Sequence, residues 1–406
     1  MNGQSILNGY GFGLKTEYYD ASSMALSSYG LTPSFNQNVS IQNPSTWHHL
    51  RYTYFSSSFS LNQTEILNDF INSDFSLGDL FFIVPIKGKY SFGLGVSPYT
   101  DQYYLLEGED ATDFVAYGDT LTKVHYFESF GGISALNIAG SMNIFDQLDI
   151  GLEANFLYGS TRQQTINSLN SLNYYSQQRY LYAGILGNIY LSSNILNNWN
   201  IPLMVYASLG FTIEPVSTEA YYFKPFEDTN DSGAQDSFDF PSSNNAVDPD
   251  VINIENILEP FEYQFGLNYN WSKNTCLIGE YSVWKDNSDL GAEYSRLAGQ
   301  IKSRNHFNFG IARYSLARPD NLFDRMSFRL SSYITDIDLT NNDKNIKEYG
   351  VSTGLSYNFG ITKNQIDFAY SYGKRQNLVA IGDEIIQKFS IGITVGDIWF
   401  VKRRSR

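Results

Sequence analysis

The sequence predicts an all-β fold: a transmembrane antiparallel β-barrel of fourteen strands with an N-terminal hatch. Three observations carry this expectation. Apolar and polar residues alternate over one stretch after another. Aromatic residues make up 16% of the chain, nearly matching the 17% that are charged. No stretch approaches the roughly 20 apolar residues that a membrane-spanning helix requires. Only every second residue of a barrel strand meets lipid, so a mean hydropathy of −0.28 is compatible with membrane insertion.

The alternation is clearest at Phe261–Trp271. Phe261, Tyr263, Phe265, Leu267, Tyr269 and Trp271 share one face; Glu262, Gln264, Gly266, Asn268 and Asn270 share the other. Tyr349–Phe359 repeats the pattern with Gly, Ser and Asn on its polar side. A soluble sandwich would carry charge there instead. The expected strands are 48–58, 76–87, 89–99, 124–144, 147–160, 177–192, 201–214, 258–271, 274–286, 302–315, 325–337, 346–359, 364–375 and 384–400. Tight turns such as 87–89, 145–147, 272–273 and 360–363 alternate with longer loops at 59–75, 100–123, 161–176, 215–257, 287–301, 338–345 and 376–383. Short periplasmic turns and long extracellular loops are usual for such barrels, and an even strand count puts both termini in the periplasm. Trp47, Trp199, Trp271 and Trp399 fall beside short turns or chain ends and Trp284 toward the other rim, as interfacial girdles require. Arg313, on an apolar face, lies close enough to a strand end to snorkel. Met1–Ser5 lacks the basic and apolar regions of a signal peptide, so the expectation is a mature or truncated chain.

Residues 1–47 do not alternate. Leu14, Met24, Leu26, Leu31, Phe35 and Ile41 favour packing over disorder, and the barrel interior is the compartment without lipid. The expected division is therefore a hatch over 1–47 and a barrel over 48–406. Asn43-Pro44 marks the turn between them.

Particular residues at both ends resemble a known family. Gly9-Tyr10-Gly11-Phe12-Gly13, the small-residue segment Ser22–Gly30 and Asn43-Pro44-Ser45 open the chain; Lys388–Thr394 with Asp397, Trp399, Phe400 and Lys402 close it. This order is similar to the long-chain fatty-acid transporter family of outer-membrane proteins, the FadL-like barrels. The resemblance covers the whole chain in architecture but only its ends in residues. The family's Asn-Pro-Ala reads Asn43-Pro44-Ser45, Tyr29 interrupts the small-residue segment, and a basic tail follows Phe400. The resemblance implies passive uptake of hydrophobic molecules, with exit through the wall near the third strand. Gly93, Gly95 and Pro98 interrupt that strand in the sequence, because Pro donates nothing to a ladder and Gly weakens one.

Candidate chemistry is sparse. His48 and His49 are adjacent, so on a strand they would point to opposite faces and could not share a metal. His306 could partner Ser303 or Asp residues in a hydrolase, but no spacing resembles a known barrel lipase or protease, and the expectation is no enzyme. Between Glu227 and Glu259 lie nine carboxylates and no Lys or Arg. Within them Asp228, Asn230, Ser232, Gly233, Asp236 and Asp239 follow the spacing of a calcium loop, against a solvated acidic loop as the plain alternative. Glu153, Glu214, Glu262, Glu280 and Asp367 face the expected lumen with Arg304 and Arg329; they would either pair there or line a polar channel. A net charge of −15 argues against nucleic acid. The expected partners are outer-membrane lipids and a hydrophobic ligand, with a monomer favoured and no cofactor unless calcium. The competing readings are a general porin and an anchor presenting secreted proteins at the surface.

Overall fold

A computed structural model describes residues 5–397 apart from 17–19, 67–69, 87, 108–111, 117–118, 146, 170–171, 231, 233–234, 244–247, 289–298, 317, 341, 343–344, 361, 363 and 379–381. Fourteen antiparallel strands close into one barrel. They are β1 (Thr53–Ile66), β2 (Phe70–Ile86), β3 (Tyr90–Asp101), β4 (Asp119–Phe145), β5 (Leu148–Leu169), β6 (Leu172–Ser193) and β7 (Leu203–Tyr222). The second half comprises β8 (Pro260–Asn270), β9 (Thr275–Asp286), β10 (Ile301–Arg313), β11 (Met326–Leu339), β12 (Ile346–Phe359), β13 (Asn364–Leu378) and β14 (Gly382–Asp397). Pairing of β14 with β1, from Glu384↔Ile66 to Asp397↔Thr53, completes the ring. Closure pairs the wall strands around the ring, as lipid demands of a spanning sheet, with an unpaired stretch among the described residues between β2 and β3 beyond Leu80↔Val96.

The faces follow the alternation. Phe261, Tyr263, Phe265, Leu267, Tyr269 and Trp271 are exposed on the outside, while Asn268 and Glu280 are buried within. Arg313 donates to the Phe323 and Met326 carbonyls at 3.3 and 3.2 Å and lies over the Phe323 ring at the strand end.

Three expectations need correction. Much of the supposed long loops is strand. β4 runs 27 residues and β5 and β6 run 22 each, and Asp250–Leu258 extends the wall beyond β8 by pairing with β7. Alternation reports lipid contact, so it fades where a strand rises clear of the bilayer although the ladder continues. The first strand starts at Thr53, not residue 48, because Asn43 caps a 3-10 turn over Pro44–His49. Two tryptophans also face inward: Trp47 is fully buried and Trp284 nearly so, whereas Trp199 and Trp271 are exposed. Trp399, Phe400 and the basic tail lie outside the described residues.

Candidate functional site: the filled lumen and a break in the wall

The N-terminal segment runs inside the barrel from the long-loop end to the short-turn end. Ser5 begins at the long-loop end, where its hydroxyl donates to Glu384 at 2.9 Å and accepts from Arg375 at 2.8 Å. Parity therefore brings Thr53 and Asp397 to one rim, but Ser5 sits toward the other. Ile6, Leu7 and Phe12 join Tyr180, Tyr182, Val216, Ile257 and Ile337 in an apolar core across the barrel mouth. Burial in this core pushes the Tyr10 phenol above its ordinary pKa.

Lower down, the wall holds the segment by side chains. Small residues make this possible: a Cβ on Gly354 would lie 2.3 Å from the Ala25 Cβ, and one on Gly151 would lie 2.6 Å from the Ser45 nitrogen. Glu280 accepts from Ser28 Oγ at 2.6 Å, Tyr29 N at 3.0 Å and Thr32 Oγ1 at 2.9 Å. Arg329 donates to the Ser34 carbonyl at 2.7 Å, bonds Ser356 and stands 3.7 Å from Asp367. Glu262 forms an ion pair with Lys15 of the segment. Glu153 accepts from Tyr190 at 2.8 Å and Asn188 at 3.2 Å, within the wall. Of Glu153, Glu262, Glu280 and Arg329, all expected in the lumen, the last three therefore bind the segment. Glu280 and Glu262 are engaged by the segment and, among the described residues, do not pair with a wall base across the lumen.

His306 is also structural. Its two ring nitrogens lie 2.8 Å from Thr335 Oγ1 and the Ser27 carbonyl, and its ring stacks on Tyr29. Neither bond involves Ser303, the serine of the hydrolase alternative. Asn43 donates to the Leu31 carbonyl at 2.7 Å and accepts from Ser45, so Asn43, Pro44 and Ser45 shape the last turn before the wall. Trp47 donates to the Ser40 and Ile41 carbonyls at 3.1 and 3.0 Å and packs on Phe81.

The third strand behaves differently from the sequence argument. Gly93 and Gly95 lie in intact ladder, paired with Ile83 and Phe81 on one side and Ala139 and Asn137 on the other. They do not interrupt it. A Cβ there would meet the Trp47 ring at 2.4 Å or the Phe81 ring at 2.5 Å, so these glycines make room for rings. The break falls further on. After Leu80↔Val96, no pair joins β2 to β3 among the described residues, and the register against β4 slips between Pro98 and Thr100. The end of β3 pairs instead with the segment, Thr100 with Lys15 and Asp101 with Leu14. Behind this break lies a cavity of about 520 Å³, lined by Asp74, Phe75, Leu77, Pro98, Ile133 and Lys388 among others.

The acidic loop is compact but turned inward on its own backbone. Asp228 accepts from Ser232 N at 3.1 Å, Asp239 from Thr229 N at 3.1 Å and Asp236 N at 2.6 Å, and Asn230 donates to Asp236 at 2.8 Å. Among the described residues, Asp228, Asp236 and Asp239 do not bring their oxygens within 4.8 Å of one another. Gly233, the residue of the sharp calcium-loop turn, lies outside the described residues.

A closed fourteen-stranded wall enclosing its own N-terminal segment is specific enough to compare with known proteins. The BamG family model matches residues 4–405, nearly the whole chain. The chain belongs to the BamG family. A comparison with curated protein sequences finds no match. Among solved structures, this BamG-family chain is similar to the CymD monoaromatic hydrocarbon channel, at 12% identity and a TM-score of 0.57 over 97% of this chain and 98% of that one. It is also similar to a Pseudomonas aeruginosa FadL homologue, at 9% identity and a TM-score of 0.57 over 95% and 99%. The Ralstonia pickettii toluene transporter TbuX matches at 12% identity and a TM-score of 0.54 over 94% and 98%. At these identities the likeness shows the fold, and the BamG-family barrel is FadL-like.

Proposed function

We propose that this chain is a bacterial outer-membrane channel for passive uptake of small hydrophobic molecules, which leave sideways between β2 and β3. The observation that carries the reading is the unpaired stretch beyond Leu80↔Val96, with the cavity of about 520 Å³ behind it. A ligand in that cavity meets Phe75, Leu77, Ile133 and Ile386 beside Asn62 and Lys388. That mixture suits an apolar body with one polar end, such as a long-chain fatty acid. The similar structures described as channels for monoaromatic hydrocarbons and toluene support the hydrophobic class. Residues 5–52 act as the hatch that denies a straight aqueous path, which disfavours a general porin. In this orientation the long loops are extracellular and the short turns periplasmic.

The test is accumulation of a fluorescent long-chain fatty acid, and separately of labelled toluene, by cells carrying the protein. Ser76→Trp and Ser60→Trp, both at the cavity lining, should cut accumulation roughly tenfold by filling the path. Accumulation unchanged in both variants would remove the sideways route. Accumulation no higher than in cells lacking the protein would remove the transport reading.

One observation favours a second reading, an anchor that engages secreted proteins at the surface. β4, β5 and β6 run 27, 22 and 22 residues, against the roughly 9–11 a barrel strand needs to span. The excess forms a sheet standing clear of the bilayer, and capture of surface proteins on that sheet would distinguish this role.

A further inference from the structure

Adjacent histidines on a strand cannot meet at one ion, but His48 and His49 are not on a strand. They end the 3-10 turn Pro44–His49, where successive side chains are about 120° apart instead of 180°. Their rings come within 3.8 Å, centre to centre. Asp149, near the start of β5, faces them across the point where the N-terminal segment meets the wall. One ligand atom from each of the three lies within 4.8 Å of the others, the one such group among the described residues. His48 Nε2 and Asp149 Oδ1 are 3.4 Å apart. Two ligands on a tetrahedral ion with bonds of about 2.0–2.1 Å are separated by roughly that distance.

The surroundings fix these groups in position. His48 Nδ1 lies 3.1 Å from the Ser45 carbonyl, so that nitrogen carries a hydrogen and donates it. A neutral ring then directs the Nε2 lone pair at a carboxylate, which repels it. Either a second proton or a cation between the two relieves the conflict. Backbone carbonyls commonly hold metal-binding imidazoles in this tautomer. Asp149 is in turn oriented by Asn143 Nδ2 at 2.7 Å and Ser192 Oγ at 3.4 Å. The side chains of His48 and Asp149 are 8% and 11% exposed, while His49 is exposed and gives an ion a path from the short-turn side.

We propose that His48, His49 and Asp149 form a divalent-metal site of the zinc type that fastens the end of the N-terminal segment to the wall. Two imidazoles, one carboxylate and an open position for water are a common zinc set. The ion would bridge the last turn of the segment to β5, beside the close approach of Ser45 to Gly151. This inference does not depend on what passes through the barrel.

Tag-free protein in detergent, stripped with EDTA and titrated with zinc chloride by calorimetry, tests it. One equivalent should bind, and the unfolding temperature should rise with zinc. Replacement by cobalt should give the visible bands of a four-coordinate nitrogen–oxygen site. His49→Ala removes an exposed ring, so the barrel should keep its strand content and heat-modifiable migration while zinc affinity falls at least tenfold. Asp228→Ala, in the acidic loop, should leave the titration unchanged. Two results would overturn the proposal: no zinc uptake by the wild type up to 100 µM, leaving a protonated His48–Asp149 pair, or unchanged affinity in His49→Ala.

Discussion

The wall and the segment it encloses solve the same problem in opposite ways. Apart from the stretch of β2 and β3 beyond Leu80↔Val96, each wall strand pairs with a neighbour along both edges, so its sequence need only alternate. The segment has almost no ladder of its own beyond Leu14–Lys15 against Thr100–Asp101. Some of its carbonyls and amides bond within its own turns, as Ala25 does to Ala21, and others are met by individual wall side chains: Asn308 for Leu26, Tyr314 for Pro33, Arg329 for Ser34, Glu280 for Tyr29. The wall's fold is thus a repeated pattern, whereas the segment's is a set of separate matches.

That contrast should break first at the segment. Deleting residues 1–42 leaves every wall pair in place, so the barrel should still fold. The lumen polar groups that bound the segment would then meet water, and conductance in planar bilayers should rise roughly tenfold or more. Equal conductance with and without the deletion would contradict a segment that blocks the lumen.

A smaller effect is expected at the long-loop end of the segment. Arg375 lies between two buried carboxylates, 2.7 Å from both Glu348 and Glu384. Arg375→Met would leave both without their cation and take one hydrogen-bond partner from Ser5. Denaturant unfolding of the folded barrel should lose about 3–5 kcal/mol. A loss under about 1 kcal/mol would mean that water already reaches the cluster.

The smallest effect is expected at the acidic loop. Asp228, Asp236 and Asp239 are occupied by the loop's own amides, so calcium at 1 mM should not shift the unfolding temperature of the wild type or of Asp228→Ala. A calcium-dependent rise in the wild type alone would restore the ion-binding reading.

The same contrast explains what the sequence revealed. Strand number, order and outward face were all legible, because lipid writes alternation into the wall. Phe261–Trp271 displays its exposed face without any structure. The rise of β4–β6 beyond the bilayer was not legible: once lipid is absent, a Gln- and Ser-rich strand such as Ser160–Ser168 has the composition of a loop. The segment was recognisable as an apolar stretch lacking strand period, but its path depends on particular pairs such as Ser28 with Glu280, 252 residues apart. Composition does not encode such pairs. The orientation of His48 and His49 is not legible, because Asn43-Pro44 marks a turn in the sequence without marking that it continues through His49. Gly93 and Gly95 stand out in the sequence for their lack of a side chain, but only the structure shows that they clear space for Trp47 and Phe81.

The uneven strand lengths also bear on how anything reaches the barrel. β9 to β12 end within 12–14 residues, while β4 continues for 27, about 90 Å along its own axis at roughly 3.3 Å per residue. Among the described strands, the wall is therefore short on one side and tall on the other. A molecule reaching the long-loop end would meet the shorter strands β9–β12 on one side and a standing sheet on the β4–β6 side. Approach is directional before any residue of the lumen is touched.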